Sequence, residues 1–339
     1  MRGRGILVSG TWIVDINKRV DHWPEPQTLA LIDRVVTTNG GAAFNIACDV
    51  ARLAPQLPVE GIGLIGNDGA GQFVIETCRR LGIGTAGIQK TAAAPTSFTD
   101  VMSERVSGRR TFFHASGANA LLDESHFDLQ PDTASIFFLG YLGLLPSLDR
   151  TDASGRNGAS RLFQKAISSG LLTAADLVSA PNERLAEQVK PCLPHLDVLF
   201  TNEWEAARLL GQNRSPDAAL SFAEATDLAT AVAALGIRGR VVLHFAEGAV
   251  SVAANGKVAS RGAVLVPGEE IVGTTGAGDA FAAGYLVALA EDMDESASLE
   301  LAVCSAAVSL GDITCSDALR PWEDCLTHGR RLGFRPTEL

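Results

Sequence analysis

The sequence predicts a three-layer α/β/α fold with a mostly parallel central sheet and a small β-flap, or lid. Short β-branched or apolar runs alternate with helical segments over most of the 339 residues, the pattern of a parallel sheet covered by helices on both faces. One stretch breaks the alternation with two extended runs in succession, which points to the flap. At 46% hydrophobic and 20% charged, a chain of this length buries a large core without covalent staples. One domain over residues 1–339 is expected, with lid strands drawn from about 11–38 and 96–116.

The strands read from these runs are Ile6–Ser9, Gly61–Ile65, Ile136–Leu139, Val198–Thr201 and Val241–Phe245. The helices are Asn45–Leu53, Gly71–Leu81, Arg161–Ser169, Glu203–Leu210, Ala218–Leu235, Ala280–Glu291 and Ser298–Leu310. The polar stretch from Arg150 to Ser160 is a surface loop or a linker. In the flap, Thr96–Val106 and Arg109–His114 are extended runs joined by Ser107-Gly108, the signature of a two-residue hairpin. Trp12–Ile16 has apolar residues at every second position and joins them in a small antiparallel flap; an antiparallel edge of the main sheet is the alternative.

Charge and cysteine usage exclude several function classes. The net charge of −11 argues against a nucleic-acid footprint or an anionic membrane surface as partner. Six cysteines and six histidines show no Cys-x-x-Cys pair and no zinc spacing. The longest apolar stretch, Ala280 to Ala290, falls short of the roughly 20 residues of a membrane span. The expected location is a reducing cytoplasm.

Gly61-Ile62-Gly63-Leu64-Ile65-Gly66 matches the Gly-x-Gly-x-x-Gly dinucleotide fingerprint, yet its glycines lie inside a strand and no acid follows at about 20 residues. It is read as a decoy. A P-loop is absent. The informative segment is Gly273-Thr274-Thr275-Gly276-Ala277-Gly278-Asp279-Ala280-Phe281. Small residues that lead into a helix let the backbone approach an anion, and the first helical N–H groups can cradle a phosphate. Asp279 falls in that first turn, where an acid is also ordinary helix capping.

Thr274 to Phe281 resembles the C-terminal signature of the ribokinase-like, or PfkB, family of carbohydrate kinases. Gly40-Gly41-Ala42-Ala43-Phe44-Asn45-Ile46-Ala47 resembles its N-terminal signature, Asn202-Glu203-Trp204-Glu205 its Asn-x-x-Glu motif, and Gly66-Asn67-Asp68-Gly69-Ala70-Gly71 its Gly-x-Asp-x-x-Gly turn. The motifs stand in the family's order from about residue 5 to residue 325. The resemblance implies a ribokinase-like fold and an ATP-dependent kinase acting on a primary hydroxyl of a sugar. It leaves as alternatives a nucleoside kinase of the same superfamily and a non-catalytic sugar-binding relative.

Carried over residue by residue, the resemblance makes Asp279 the catalytic base and Gly276, Ala277 and Gly278 the anion hole. It makes Asp15, Gly40, Gly41 and Asn45 substrate-binding, with Asp15 otherwise readable as a solvated turn residue. Asn202, Glu205, Thr275 and Val303 fall to the nucleotide, with Val303 facing the adenine. Glu205 would organise Mg²⁺ through water, while Asn202 and Glu205 also form a capping box. Arg110 and His114 either reach the substrate or stand exposed on the flap.

Three departures from the family stand out: Gly273 where an Asp is usual, His244-Phe245-Ala246 in place of Thr-x-Gly, and Thr314-Cys315 in place of Gly-Ala. The first and third touch the family's monovalent-cation site and predict weak or absent potassium dependence. An open flap edge predicts a homodimer in which the two flaps pair.

Overall fold

The computed structural model describes residues 4–106, 108–129, 134–215, 218–312, 314 and 316–337. Its first half runs β1 (Gly5–Gly10), β2 (Ile13–Val20), β3 (Ile32–Gly40), α1 (Ala42–Leu53), β4 (Val59–Gly66), α2 (Gly69–Arg80), β5 (Gly84–Thr91), β6 (Ser97–Glu104) and β7 (Arg110–Ala115). Then come β8 (Ala134–Leu142), α3 (Gly158–Ser168), β9 (Leu172–Leu177), α4 (Leu185–Val189), β10 (Val198–Asn202), α5 (Glu203–Leu209) and α6 (Phe222–Ala233). The chain closes with β11 (Arg240–Phe245), β12 (Gly248–Ala253), β13 (Val258–Gly262), α7 (Ala277–Ala290), α8 (Glu295–Ser309) and α9 (Trp322–Leu332).

Among the described residues the strands make a nine-stranded sheet, ordered β13-β12-β11-β10-β9-β8-β1-β4-β5, and a four-stranded one, ordered β3-β2-β6-β7. From β5 to β11 the large sheet is parallel; β12 and β13 extend it antiparallel. Alternation along each strand splits the core into two layers. Ile6, Val8, Phe138 and Phe200 pack with α1, α7 and α8 on one face, while Leu7, Phe137, Leu139 and Leu199 pack with α3, α5 and α6 on the other. The helical starts follow local chemistry: Asp68, Asn157, Asn202 and Ser221 each accept a backbone N–H as N-cap.

Several expectations are corrected. The flap is a sheet of its own, but it is not wholly antiparallel: β2 and β6 run parallel. A parallel pair needs a long crossover, and here the chain builds β4 and β5 of the main sheet between β3 and β6. The link from Glu104 to Arg110 is longer than two residues, with Glu104 N–H bonded to the Arg109 carbonyl at 3.0 Å. Ser107 itself lies outside the described residues, as does Cys315. Helix α6 starts at Phe222 rather than Ala218, because Ser221 and Glu224 cap it reciprocally. Arg150–Ser160 is no linker, since Asn157 is a buried N-cap tied to Gln188.

Trp12 belongs to the main core, not the flap. It is fully buried, and its indole N–H bonds to the Ile62 carbonyl at 2.9 Å. This explains the decoy glycines. A Cβ on Gly63 would lie 2.2 Å from the Trp12 ring, and one on Gly66 would lie 2.3 Å from the Thr96 amide nitrogen. They are glycines so that an indole and the root of β6 fit against β4. No helix among the described residues is long and apolar enough to cross a membrane.

Candidate active site

A cavity of about 910 Å³ opens between the flap and the carboxyl ends of the parallel strands, the place where open α/β sheets bind ligands. Its lining comes from many separate segments of the chain. Helix α7 opens at Gly276, which takes the left-handed conformation (φ 80°) as N-cap and brings no capping side chain. That turn leaves the N-terminus of α7 facing the cavity, with Gly276 and Gly278 lining it. Ala277 points instead toward a neighbouring cavity, and its N–H bonds weakly to the Thr274 carbonyl at 3.4 Å.

Asp279 sits in the first turn of α7 and is 6% exposed. Asn45 Nδ2 donates to its Oδ2 at 2.7 Å, and the Tyr141 hydroxyl lies 3.3 Å from Oδ1. Burial raises its carboxyl to about 6, against the pull of the Asn45 and Tyr141 hydrogen bonds. A carboxylate tuned there is ionised at neutral pH and can take a proton from a hydroxyl.

Asp15 faces the same cavity from β2. It is buried, which removes the reading as a solvated turn residue. Burial, then the charge of Asp279, lifts its carboxyl to about 7, with Thr99 opposing. Gly40 is glycine because a Cβ there would stand 2.2 Å from the Asp15 carboxyl. Gly41 (φ 73°) starts α1 with room only for hydrogen, at 2.6 Å from the Thr11 carbonyl. Asn45 is held in turn by Asn39, whose Nδ2 donates to its Oδ1 at 2.7 Å. Gly41 and Asn45 line the cavity; Gly40 acts from behind Asp15.

The Asn202–Glu205 pair forms the expected capping box, and Glu205 is buried. Ser179 Oγ donates to Glu205 Oε1 at 2.6 Å and the Asn202 N–H to Oε2 at 3.0 Å. Burial raises the Glu205 carboxyl in spite of these bonds. Asn202, Glu205 and Thr275 all line the large cavity. Val303 lies in an adjoining, mostly apolar cavity of about 530 Å³ with Val266, Ala306 and Phe281. The two cavities share His244, Thr274 and Gly278, so they meet at the N-terminus of α7.

Tyr141 and Asp176 escaped the sequence reading, and His244 entered it only as a departure from the family pattern. Tyr141, at the carboxyl end of β8, carries a positive φ of 28° and reaches Asp279. Asp176, at the end of the unpredicted β9, accepts the Tyr141 N–H at 3.1 Å. Burial first, then Asp279 and Glu205, push the Asp176 carboxyl well above its usual range. His244 closes β11 against Phe281, and burial lowers its imidazole to about 4. The usable signal was position, since each ends a parallel strand. Arg110 and His114 line the cavity from β7, with His114 Nδ1 3.1 Å from the Thr99 hydroxyl.

Comparison with known proteins gives the family and the fold. A family model described as pfkB family carbohydrate kinase matches residues 4–322. The chain is 26% identical over 307 residues to an adenosine kinase of Schizophyllum commune, covering 85% of this chain and 86% of that one. It is also 26% identical over 313 residues to a ribokinase of Bacillus subtilis, covering 91% and 93%. A solved Arabidopsis thaliana ribokinase complexed with ribose and ATP superposes with a TM-score of 0.80 at 20% identity, over 96% and 98% of the two chains.

Proposed function

Since the chain belongs to the pfkB family of carbohydrate kinases, we propose that it transfers the γ-phosphoryl group of ATP to a hydroxyl of a sugar or nucleoside, a primary hydroxyl in the first instance. The observation that carries this reading is the Asp279 carboxylate, buried at the floor of the cavity and aimed by Asn45 at 2.7 Å. Asp279 takes the proton of the acceptor hydroxyl as its oxygen bonds to the γ-phosphorus and the bond to ADP breaks. Little covalent help is needed beyond alignment and charge stabilisation. Gly276, Gly278 and the N-terminal dipole of α7 meet the charge on the moving oxygens.

Asp15 orients the acceptor from the flap, with Gly40, Gly41 and Asn45 shaping its seat. The nucleotide base takes the apolar cavity beside Val303, which leaves Thr275 and Asn202 to flank the phosphates. No three His, Cys, Asp or Glu side chains among the described residues gather closely enough to ligate a metal ion. Asp176, Glu205 and Asp279 nevertheless line one cavity, a donor set that suits a hydrated Mg²⁺. Glu205 would hold it through water, and the ion when bound would neutralise phosphate charge. We read the whole chain as one kinase domain that works as a homodimer in a reducing cytoplasm. Its charge of −11 weighs against nucleic acid or an anionic membrane as partner.

An ADP-release assay over pentoses, hexoses, sugar acids, sugar phosphates and nucleosides tests the reading. At least one acceptor should raise ADP release above the rate with ATP alone, and Asp279→Asn should abolish that rise. No stimulation by any acceptor would overturn it.

A further inference from the structure

The inner face of the flap carries ordered rungs that the chemistry at Asp279 does not use. Register places Thr38, Asp15, Thr99 and His114 abreast across β3, β2, β6 and β7. Two residues further along each strand stand Val36, Asn17, Val101 and Phe112, and beyond them Arg34, Arg19, Ser103 and Arg110. Residues two apart on a strand share a face, so one surface passes from polar to mostly apolar to cationic. From the Asp15 rung to the arginine rung is four residues, about 13 Å.

The arginine rung borders a third cavity of about 250 Å³, closed from the main body by Val272 and Thr314. Arg110 and Gly108 line this cavity and the large one alike, so the two meet at the start of β7. The charged lining is Lys18, Arg19, Arg34, Arg105 and Arg110 against Glu104 alone, in a chain of net charge −11. Asp33 pairs with Arg19 and Arg105, and Asp100 with Lys18. Arg34 and Arg110 have no carboxylate partner among the described residues. A guanidinium is a planar fork matched to phosphate or carboxylate.

The rest of the large cavity's charged lining is Asp15, Asp176, Glu205 and Asp279, with no lysine or arginine beside Arg110. A ligand with one charged end is therefore oriented with that end on the arginines and its hydroxyls toward Asp279. We infer that the acceptor carries a phosphate or carboxylate remote from the hydroxyl that reacts, read by Arg110 with Arg34 beside it. This rests on the kinase reading and narrows it to an anionic sugar derivative.

Matched pairs that keep a primary hydroxyl free decide it: ribose with ribose 1-phosphate, fructose with fructose 6-phosphate, and glucose with gluconate. The charged member of at least one pair should show the higher kcat/KM, by roughly 10- to 100-fold, the span of a hydrogen bond to a charged group. Whether that member is a sugar phosphate or a sugar acid distinguishes the two anions. Arg110→Ala should raise KM for the charged member by a similar factor and leave kcat nearly intact, while Arg110→Lys restores part of the loss. Binding of the same pairs to the Asp279→Asn variant, by calorimetry, reads the preference without turnover. If no acceptor is phosphorylated the kinase reading fails, and this binding series still decides the anion preference. Neutral members that bind as tightly as charged ones, or an Arg110→Ala variant that shifts both members of a pair alike, would overturn the inference.

Discussion

Asn45 on α1 donates its amide to the Asp279 carboxylate on α7 at 2.7 Å, across 234 positions of sequence. The far side of the same amide accepts from Asn39 at the end of β3, and Asn39 reaches on to Ser316 at 2.9 Å. The proposed base is thereby oriented from the root of the flap as well as by its own helix.

Replacing Asp279 by Asn keeps the shape and removes the proton acceptor. A general base typically contributes 10²–10⁴-fold, so kcat should fall by about that much. Acceptor and ATP dissociation constants should stay close to wild type by calorimetry. A variant that retains a tenth of the wild-type rate would refute the role of Asp279.

The pH dependence follows from the same carboxylate. Burial holds Asp279 near 6, and only its ionised form accepts a proton. The kcat profile should therefore fall on the acid side through about that pH. Asn45 stabilises the ionised form, so Asn45→Ala should move the acid limb upward, by about one unit for the loss of one hydrogen bond. An acid limb unchanged in Asn45→Ala would refute the coupling.

Asp15 predicts a stability trade. Its folded pKa is raised to about 7 from 3.8, so folding favours the protonated form. The associated stability is fully present below about pH 4 and is lost as the pH rises through 7. Asp15→Asn abolishes that loss, so thermal denaturation at pH 8 should show a more stable variant, by on the order of a few kcal/mol. Its KM for the acceptor should rise. A variant less stable than wild type at pH 8 would refute the argument.

Potassium should matter little. Gly273 brings no carboxylate to the turn before α7 and is tied instead to the Leu310 carbonyl through its N–H at 3.2 Å. A cation held by neutral carbonyls forgoes several kcal/mol of attraction, even at an effective dielectric of about 20. Rates in potassium and in a bulky organic cation at equal ionic strength should differ by less than tenfold. A larger stimulation would show that other oxygens complete the site.

The outer face of the flap predicts the assembly. Ile32, Val35 and Phe113 are exposed there, and Trp23 stacks on Phe113 with ring centroids 6.3 Å apart. Large apolar side chains left exposed on one face mark an interface. Light scattering should give a dimer at micromolar concentration, and Val35→Asp with Phe113→Asp should yield monomers with raised acceptor KM. Fully active monomers of the wild-type chain would end the proposal.

What the sequence revealed was what lies close together along it. Gly276 to Asp279 and the Asn202–Glu205 cap are runs of four residues whose geometry is local, and each opens a helix. Asp176 and Tyr141 acquire meaning only when parallel strands bring their ends together, and β9 itself was hidden because its run is short and Ala-rich. The parallel pairing of β2 with β6 joins strands more than 80 positions apart, as in the Lys18–Asp100 bond, and no local pattern reports it. Gly61 and Gly63 misled because glycines that admit an indole look the same on paper as glycines that admit a pyrophosphate.

That flap also has a genealogy of a restrictive kind. Its halves enter the chain on either side of α1, β4, α2 and β5, and neither half alone supplies both Asp15 and Arg110. It is not a cassette. A lid with new specificity could not be acquired by one insertion, because residues 13–40 and 97–115 would have to change together while the sheet between them stayed put. Exchange of ligand preference among proteins built this way should proceed by substitutions within the existing rungs, side chain by side chain, with the backbone kept.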